Sequence, residues 1–213
     1  MVEHKPSWWA LLDPQAAAVA ATIHRSGIEP LREMGAEKAR TLMNSDRPQD
    51  SSTFAGVVTD LTVPTRAGTI PARLYRADTA PVAGPALVYF HGGGFVLGTL
   101  NGVDGLCRAL AAGSGWAVLS VDYRLAPEHA WPCAGNDAVR GYRWLLSQGY
   151  RAEDIVVAGD SAGGHLALDL LAVNHATGTP QPGSMVLFSP LYDPTFQLAV
   201  RNQRTGVRDP IID

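Results

Sequence analysis

The chain has 213 residues, 46% hydrophobic and 17% charged, with a formal net charge of −3. That is enough chain to bury one substantial core, in one or two domains. The charge balance, with no block of Lys or Arg, argues against a nucleic-acid or anionic-membrane surface.

Residues 1–14 mix Glu3, His4, Lys5 and Asp13, and lack the apolar stretch of a signal peptide. No run of about 18 apolar residues predicts a membrane span, and a cytoplasmic protein is expected. Residues 14–44 read as helical: Ala16 to Ile23 is alanine-rich, Pro30 and Gly35 break the run, and residues 36–43 suit a second helix. Residues 45–55 are polar and loop-like, which places a boundary between a helical region (1–50) and a β-containing core (51–213). Strands are expected near 56–64 and 69–76, joined as a hairpin through Thr65–Gly68. Short apolar runs without alternation follow at 86–90, 116–121, 154–158 and 184–188, the pattern of parallel strands covered on both faces. Helical stretches between them, near 101–113, 134–148 and 162–176, complete an α/β arrangement with right-handed crossovers. Cys107 and Cys133 form no C-x-x-C pair and no cluster with histidine; both read as free, buried thiols. No metal site and no cofactor is expected.

The chemistry concentrates at Gly159-Asp160-Ser161-Ala162-Gly163. A buried apolar run precedes this G-x-S-x-G sequence and a helix-forming run follows it, the strand–turn–helix context of a nucleophile elbow. Small residues around Ser161 let the chain turn sharply and present the hydroxyl. A serine hydroxyl needs a base to take its proton and donors for the charge that develops on the substrate oxygen. The N–H of Ala162 is one candidate donor. Gly92, Gly93 and Gly94, just past the strand at 86–90, supply others, because a chain without side chains turns its N–H groups freely toward a site.

His91-Gly-Gly-Gly-Phe95, Asp122-Tyr-Arg-Leu-Ala-Pro-Glu128 and Gly159-Asp-Ser-Ala-Gly-Gly164 together resemble the bacterial hormone-sensitive-lipase family of esterases, from about residue 12 onward. The resemblance implies an α/β-hydrolase fold, a mostly parallel sheet with helices on both faces, and an N-terminal helical cap that would include Trp8 and Trp9. It implies hydrolysis of small carboxylic esters with short or medium acyl chains through an acyl-enzyme. It also implies oxyanion donors at Gly93, Gly94 and Ala162. Arg124, Glu128 and His129 then serve to fix a loop, His91 to hold the glycine loop by hydrogen bonding, and Asp160 to do the same beside the nucleophile.

The proton acceptor is the difficulty. In this fold an acid and then a histidine follow the serine. After Ser161 only Asp169 and His175 stand in that order. Both fall on the helix leaving the elbow, with His175 roughly 20 Å along its axis. His165, one turn on, points along the helix flank. The sequence therefore predicts a C-terminally truncated esterase whose last strands, acid and histidine are missing, and whose strand at 184–188 is an exposed edge. The alternative is a non-catalytic ligand-binding homologue or an inactive fragment.

Overall fold

The computed structural model describes residues 12–27, 29, 33–44, 54–65, 68–81, 84–195 and 197. Trp8, Trp9 and most of the 45–55 loop lie outside them. The chain divides into two compact units, one drawn from residues 1–39 and 193–213 and one of Arg40–Tyr192.

In the first unit, α1 spans Pro14–Arg25. Asp13 caps it, its Oδ1 accepting the N–H groups of Gln15 at 2.9 Å and Ala16 at 3.0 Å. Pro14 takes the first helical position, where its missing N–H has no partner to lose. The helix α2, Ala36–Met43, begins just after Gly35.

The second unit is built on a six-stranded sheet ordered β1-β2-β4-β3-β5-β6 among the described residues. β1 (Gly56–Thr65) and β2 (Gly68–Ala77) form the antiparallel hairpin, in register from Gly56 opposite Ala77 to Thr65 opposite Gly68. β2 pairs antiparallel with β4 (Ala117–Val121), Leu74 opposite Leu119. From β4 onward the pairing is parallel, through β3 (Ala86–Phe90), β5 (Ile155–Asp160) and β6 (Ser184–Phe188). β5 starts at Ile155 rather than at Asp154, because residues Ala152–Asp154 close a single 3-10 turn.

Every residue of β3 and β4 is buried. Their alternate side chains enter two cores, as the period of two requires. Val88, Phe90, Leu119, Val121 and Val157 pack beneath α4 (Cys133–Ser147) and α5 (Ala162–Thr177), against Ala138, Tyr142, Leu145, Leu166 and Leu170. Leu87, Tyr89, Val118 and Ala158 face the other way, toward Cys107 and Ala111 of α3 (Asp104–Ser114). Helices therefore cover both faces. α5 is apolar on nearly all sides because it lies over β3, β5 and β6 and beside α4. At the far side of the sheet, β6 has no further partner strand among the described residues, and Val186 and Phe188 are exposed. Burial of both thiols was expected; Cys107 is buried, but Cys133, opening α4, is only half-buried.

Candidate active site

Ser161 stands between the end of β5 and the start of α5 with φ 50 and ψ −116. A side-chain-bearing residue in such a region costs on the order of 1–3 kcal/mol and persists only where its surroundings hold it. Here they do. The Ser161 N–H donates to the Phe188 carbonyl at the end of β6 (3.0 Å), and its carbonyl accepts from Leu191 (2.9 Å) and His165 (3.1 Å). The flanking glycines are required by contact. A Cβ at Gly159 would lie 2.4 Å from the Gly163 oxygen, and one at Gly163 would lie 1.9 Å from the Phe90 oxygen. The side chain of Ser161 is thereby exposed at the turn, above the carboxyl end of β5.

The glycine loop follows β3, the neighbour of β5. His91 opens it, 1% exposed, its ring stacked on Tyr123 at 4.3 Å between centroids. Because a carbonyl only accepts, His91 Nδ1 carries the proton it shares with the Gly92 oxygen at 2.8 Å. Burial pushes the imidazole below its ordinary pKa, so the ring is neutral. The Tyr123 hydroxyl donates to the His91 carbonyl at 2.7 Å. The histidine is thus a buried strut of the loop.

Gly92 corrects one expectation. Its N–H donates to Asp160 Oδ1 at 2.9 Å, and the Tyr89 hydroxyl donates to the same oxygen at 2.7 Å. That N–H is committed to fixing the loop against the elbow and is not free for an oxyanion. The Gly92 position matters for another reason: a Cβ there would lie 2.2 Å from Asp160 Oδ2. Gly93 (φ 120) and Gly94 (φ 60) make the turn itself, with the Gly93 carbonyl accepting from Val96 and Leu97. No described residue accepts their N–H groups, nor that of Ala162 at the start of α5.

Among the described residues, no histidine is hydrogen-bonded to the Ser161 hydroxyl. His165 turns its Nδ1 to the Leu191 carbonyl at 3.1 Å and meets the edge of Phe95. Asp169 faces α4, where a Cβ at Gly135 would lie 2.8 Å from its Oδ2. His175 is exposed in the last turn of α5. No group of three or more metal-ligating side chains occurs among the described residues, and none of their helices is long and apolar enough to cross a membrane.

A family described as alpha/beta hydrolase fold matches residues 87–212. This chain belongs to that family. The chain is 37% identical to ethyl acetate hydrolase of Pseudomonas putida over 195 residues, 82% of this chain and 60% of that protein. It is 39% identical to esterase LipI of Mycobacterium tuberculosis over 160 residues, 71% of this chain and 50% of the relative. A crystal structure of an esterase/lipase from an uncultured bacterium superposes with TM-score 0.79 at 31% identity, covering 94% of this chain and 66% of that one. The chain thus spans between half and two thirds of the length of these relatives.

In this chain the Asp122–Glu128 segment is held from both ends. Arg124 gives its backbone N–H and Nε to Asp137 Oδ2 (3.0 and 2.8 Å) and Nη2 to Oδ1 (2.7 Å), gripping α4. Glu128 takes two bonds of 2.9 Å from Arg40 of α2. These bonds hold the Glu128 carboxyl at about 2, and raise the guanidinium in turn. His129 continues the loop through its N–H to the Leu125 carbonyl.

Two supporting residues escaped the sequence reading. Arg40 also donates Nε to the Val96 carbonyl (2.8 Å) and Nη2 to the Ala126 carbonyl (2.7 Å), so it clamps the glycine loop to the loop after β4. Asn44 accepts the Gly98 N–H at 3.0 Å. Both precede the sites they hold by more than 50 positions, and nothing local in the sequence marks them.

Proposed function

We propose that this chain carries the nucleophile and the oxyanion-binding part of a carboxylic-ester hydrolase that works through an acyl-enzyme. The Ser161 oxygen attacks the ester carbonyl carbon, the carbonyl electron pair moves onto oxygen, and the N–H groups of Gly93, Gly94 and Ala162 receive that charge. Collapse expels the alcohol and leaves Ser161 esterified; water then releases the acid. Each such donor contributes about 3 kcal/mol to lowering the barrier. The observation that carries this reading is Ser161 exposed at positive φ, with three uncommitted backbone donors on the elbow and on the loop hydrogen-bonded to it.

In this reading the histidine that accepts the Ser161 proton, and the acid that orients it, lie outside this chain. Support comes from the hydrogen bonds of His165 and the placing of Asp169, and from the 60% share of the ethyl acetate hydrolase that this chain matches. The proposed substrates are small esters with short or medium acyl chains, a class consistent with the name of that relative. The test is p-nitrophenyl butyrate hydrolysis by the chain beside Ser161→Ala. Oxyanion donors and binding alone leave at most about 10³–10⁴-fold over water. Turnover at or below that level is expected; robust Ser161-dependent turnover would reveal a base within the chain. A ligand-binding homologue without chemistry would hold the ester and never become acylated.

A further inference from the structure

We infer that the outer face of α4 carries an anion-binding cleft, separate from the Ser161 site and selective for phosphate-type oxyanions. Asn136, Arg140 and Arg143 stand at i, i+4 and i+7, so they share one face of the helix. They line a cavity of about 430 Å³ together with Arg124, Val139, Val173 and Thr177. Arg140 and Arg143 are both half-buried.

Both lack a carboxylate partner among the described residues, as does Arg76, which donates to the Tyr150 hydroxyl, and here two such arginines line one cavity. Arg40, Arg73, Arg108, Arg124 and Arg151 each meet a carboxylate. Arg140 and Arg143 meet none among the described residues. Arg143 spends Nη2 on the hydroxyl oxygens of Thr177 (3.1 Å) and Thr179 (2.9 Å), both neutral, and its Nη1 and Nε meet no acceptor among the described residues. These threonines lie at the C-terminal end of α5, whose dipole answers about half of one positive charge. Asp137 lines the same cavity, but Arg124 takes both its oxygens. The cleft therefore keeps more than one full positive charge. The two arginines also repel across a single helical turn, and a bound dianion relieves that repulsion. A phosphate oxyanion matches the planar guanidinium fork, and the Asn136 amide adds a neutral donor.

Calorimetric titration of the intact chain with sodium phosphate, against sodium chloride at equal ionic strength, tests this. One saturable site is expected, weakened at least about tenfold by Arg140→Gln or Arg143→Gln through loss of charge-assisted hydrogen bonds. Arg25→Gln, outside the cleft, should leave it unchanged. Glycerol 3-phosphate run in parallel separates sources: tighter binding than phosphate assigns a phosphomonoester, weaker binding the free ion. No saturable uptake above the chloride control overturns the inference, as does uptake unchanged in the doubly substituted Arg140→Gln/Arg143→Gln chain. Should that variant not fold, the wild-type melting midpoint decides, since a bound dianion must raise it and a flat midpoint refutes binding.

Discussion

Gly163→Ala sets two effects against each other. Gly163 is the second residue of α5, where alanine is the better helix former by up to about 1 kcal/mol. Its added Cβ, however, would lie 1.9 Å from the Phe90 oxygen and 2.6 Å from the His91 oxygen, where an ordinary contact begins at 3.4 Å. Both neighbours are backbone, so no side chain can swing away. Either α5 or the end of β3 must move by about 1.5 Å, and overpacking of this kind costs about 1–3 kcal/mol. The steric term wins, leaving a net loss of about 1–2 kcal/mol and a fall in urea midpoint of about 0.5–1 M. The same displacement separates Ser161 from the glycine donors, and a misplacement of about 1 Å slows acyl transfer about 100-fold. Gly113→Ala is the matched control: it lies in α3, a Cβ there would touch nothing within 4 Å, and it should stabilise the chain by up to about 1 kcal/mol. Urea melts of both variants, and the rate of Ser161 acylation by p-nitrophenyl butyrate, decide the matter. If Gly163→Ala melted later than wild type and acylated at the same rate, the close approach of elbow and glycine loop would be wrong.

Stability should fall with acid in two stages, followed by urea midpoints between pH 7.5 and 3. The folded His91 pKa is depressed, so the stability it contributes is present above 6.5 and declines as pH falls below that value. Hydrogen bonds from Arg73 hold Asp60 below its ordinary value. Burial pushes Asp104 upward, but Arg108, Tyr75 and Arg73 outweigh it, so its carboxyl also lies low. Their contribution is lost below about pH 4, while Asp122, raised by burial, works in the opposite sense and above that value, gaining stability as it protonates on the way down to about pH 4. A flat profile from 7 to 5 would contradict a buried neutral His91. At the sheet edge, Val186→Lys should slow aggregation of the chain, because Val186 is 41% exposed on unpaired β6. Unchanged light scattering would mean that association runs through another surface. For the thiols, Cys133 should react with a disulfide reagent in the native chain, whereas Cys107, pushed up to about 12 by burial, should react only after denaturation. Two fast thiols in native buffer would refute that placing.

The order of elements was legible because each left a local signature. The runs at 86–90 and 184–188 coincide with β3 and β6, and the G-x-S-x-G context placed Ser161 at a strand–helix junction. The antiparallel pairing of β2 with β4 was not legible, since register depends on which side chains meet across strands more than 40 positions apart. Gly92 shows the same limit at the site. Read locally, its N–H looks equivalent to those of Gly93 and Gly94. Only the fold brings Asp160 to within 2.9 Å of it. An aspartate beside a nucleophile with no cation nearby in sequence still needs donors, and that was the available hint.

The central claim is that the Ser161 oxygen is a poised nucleophile whose proton acceptor is supplied from elsewhere. Its most direct measurement is peptide mass spectrometry of the chain after incubation with p-nitrophenyl butyrate. The account predicts a butyryl group that accumulates on Ser161, because p-nitrophenolate leaves more readily than the serine alkoxide and acylation therefore outruns deacylation when both steps lack the base, and no adduct at the elbow in Ser161→Ala. A chain that binds the ester yet never carries the acyl group on Ser161, or carries it only on other residues, would contradict it.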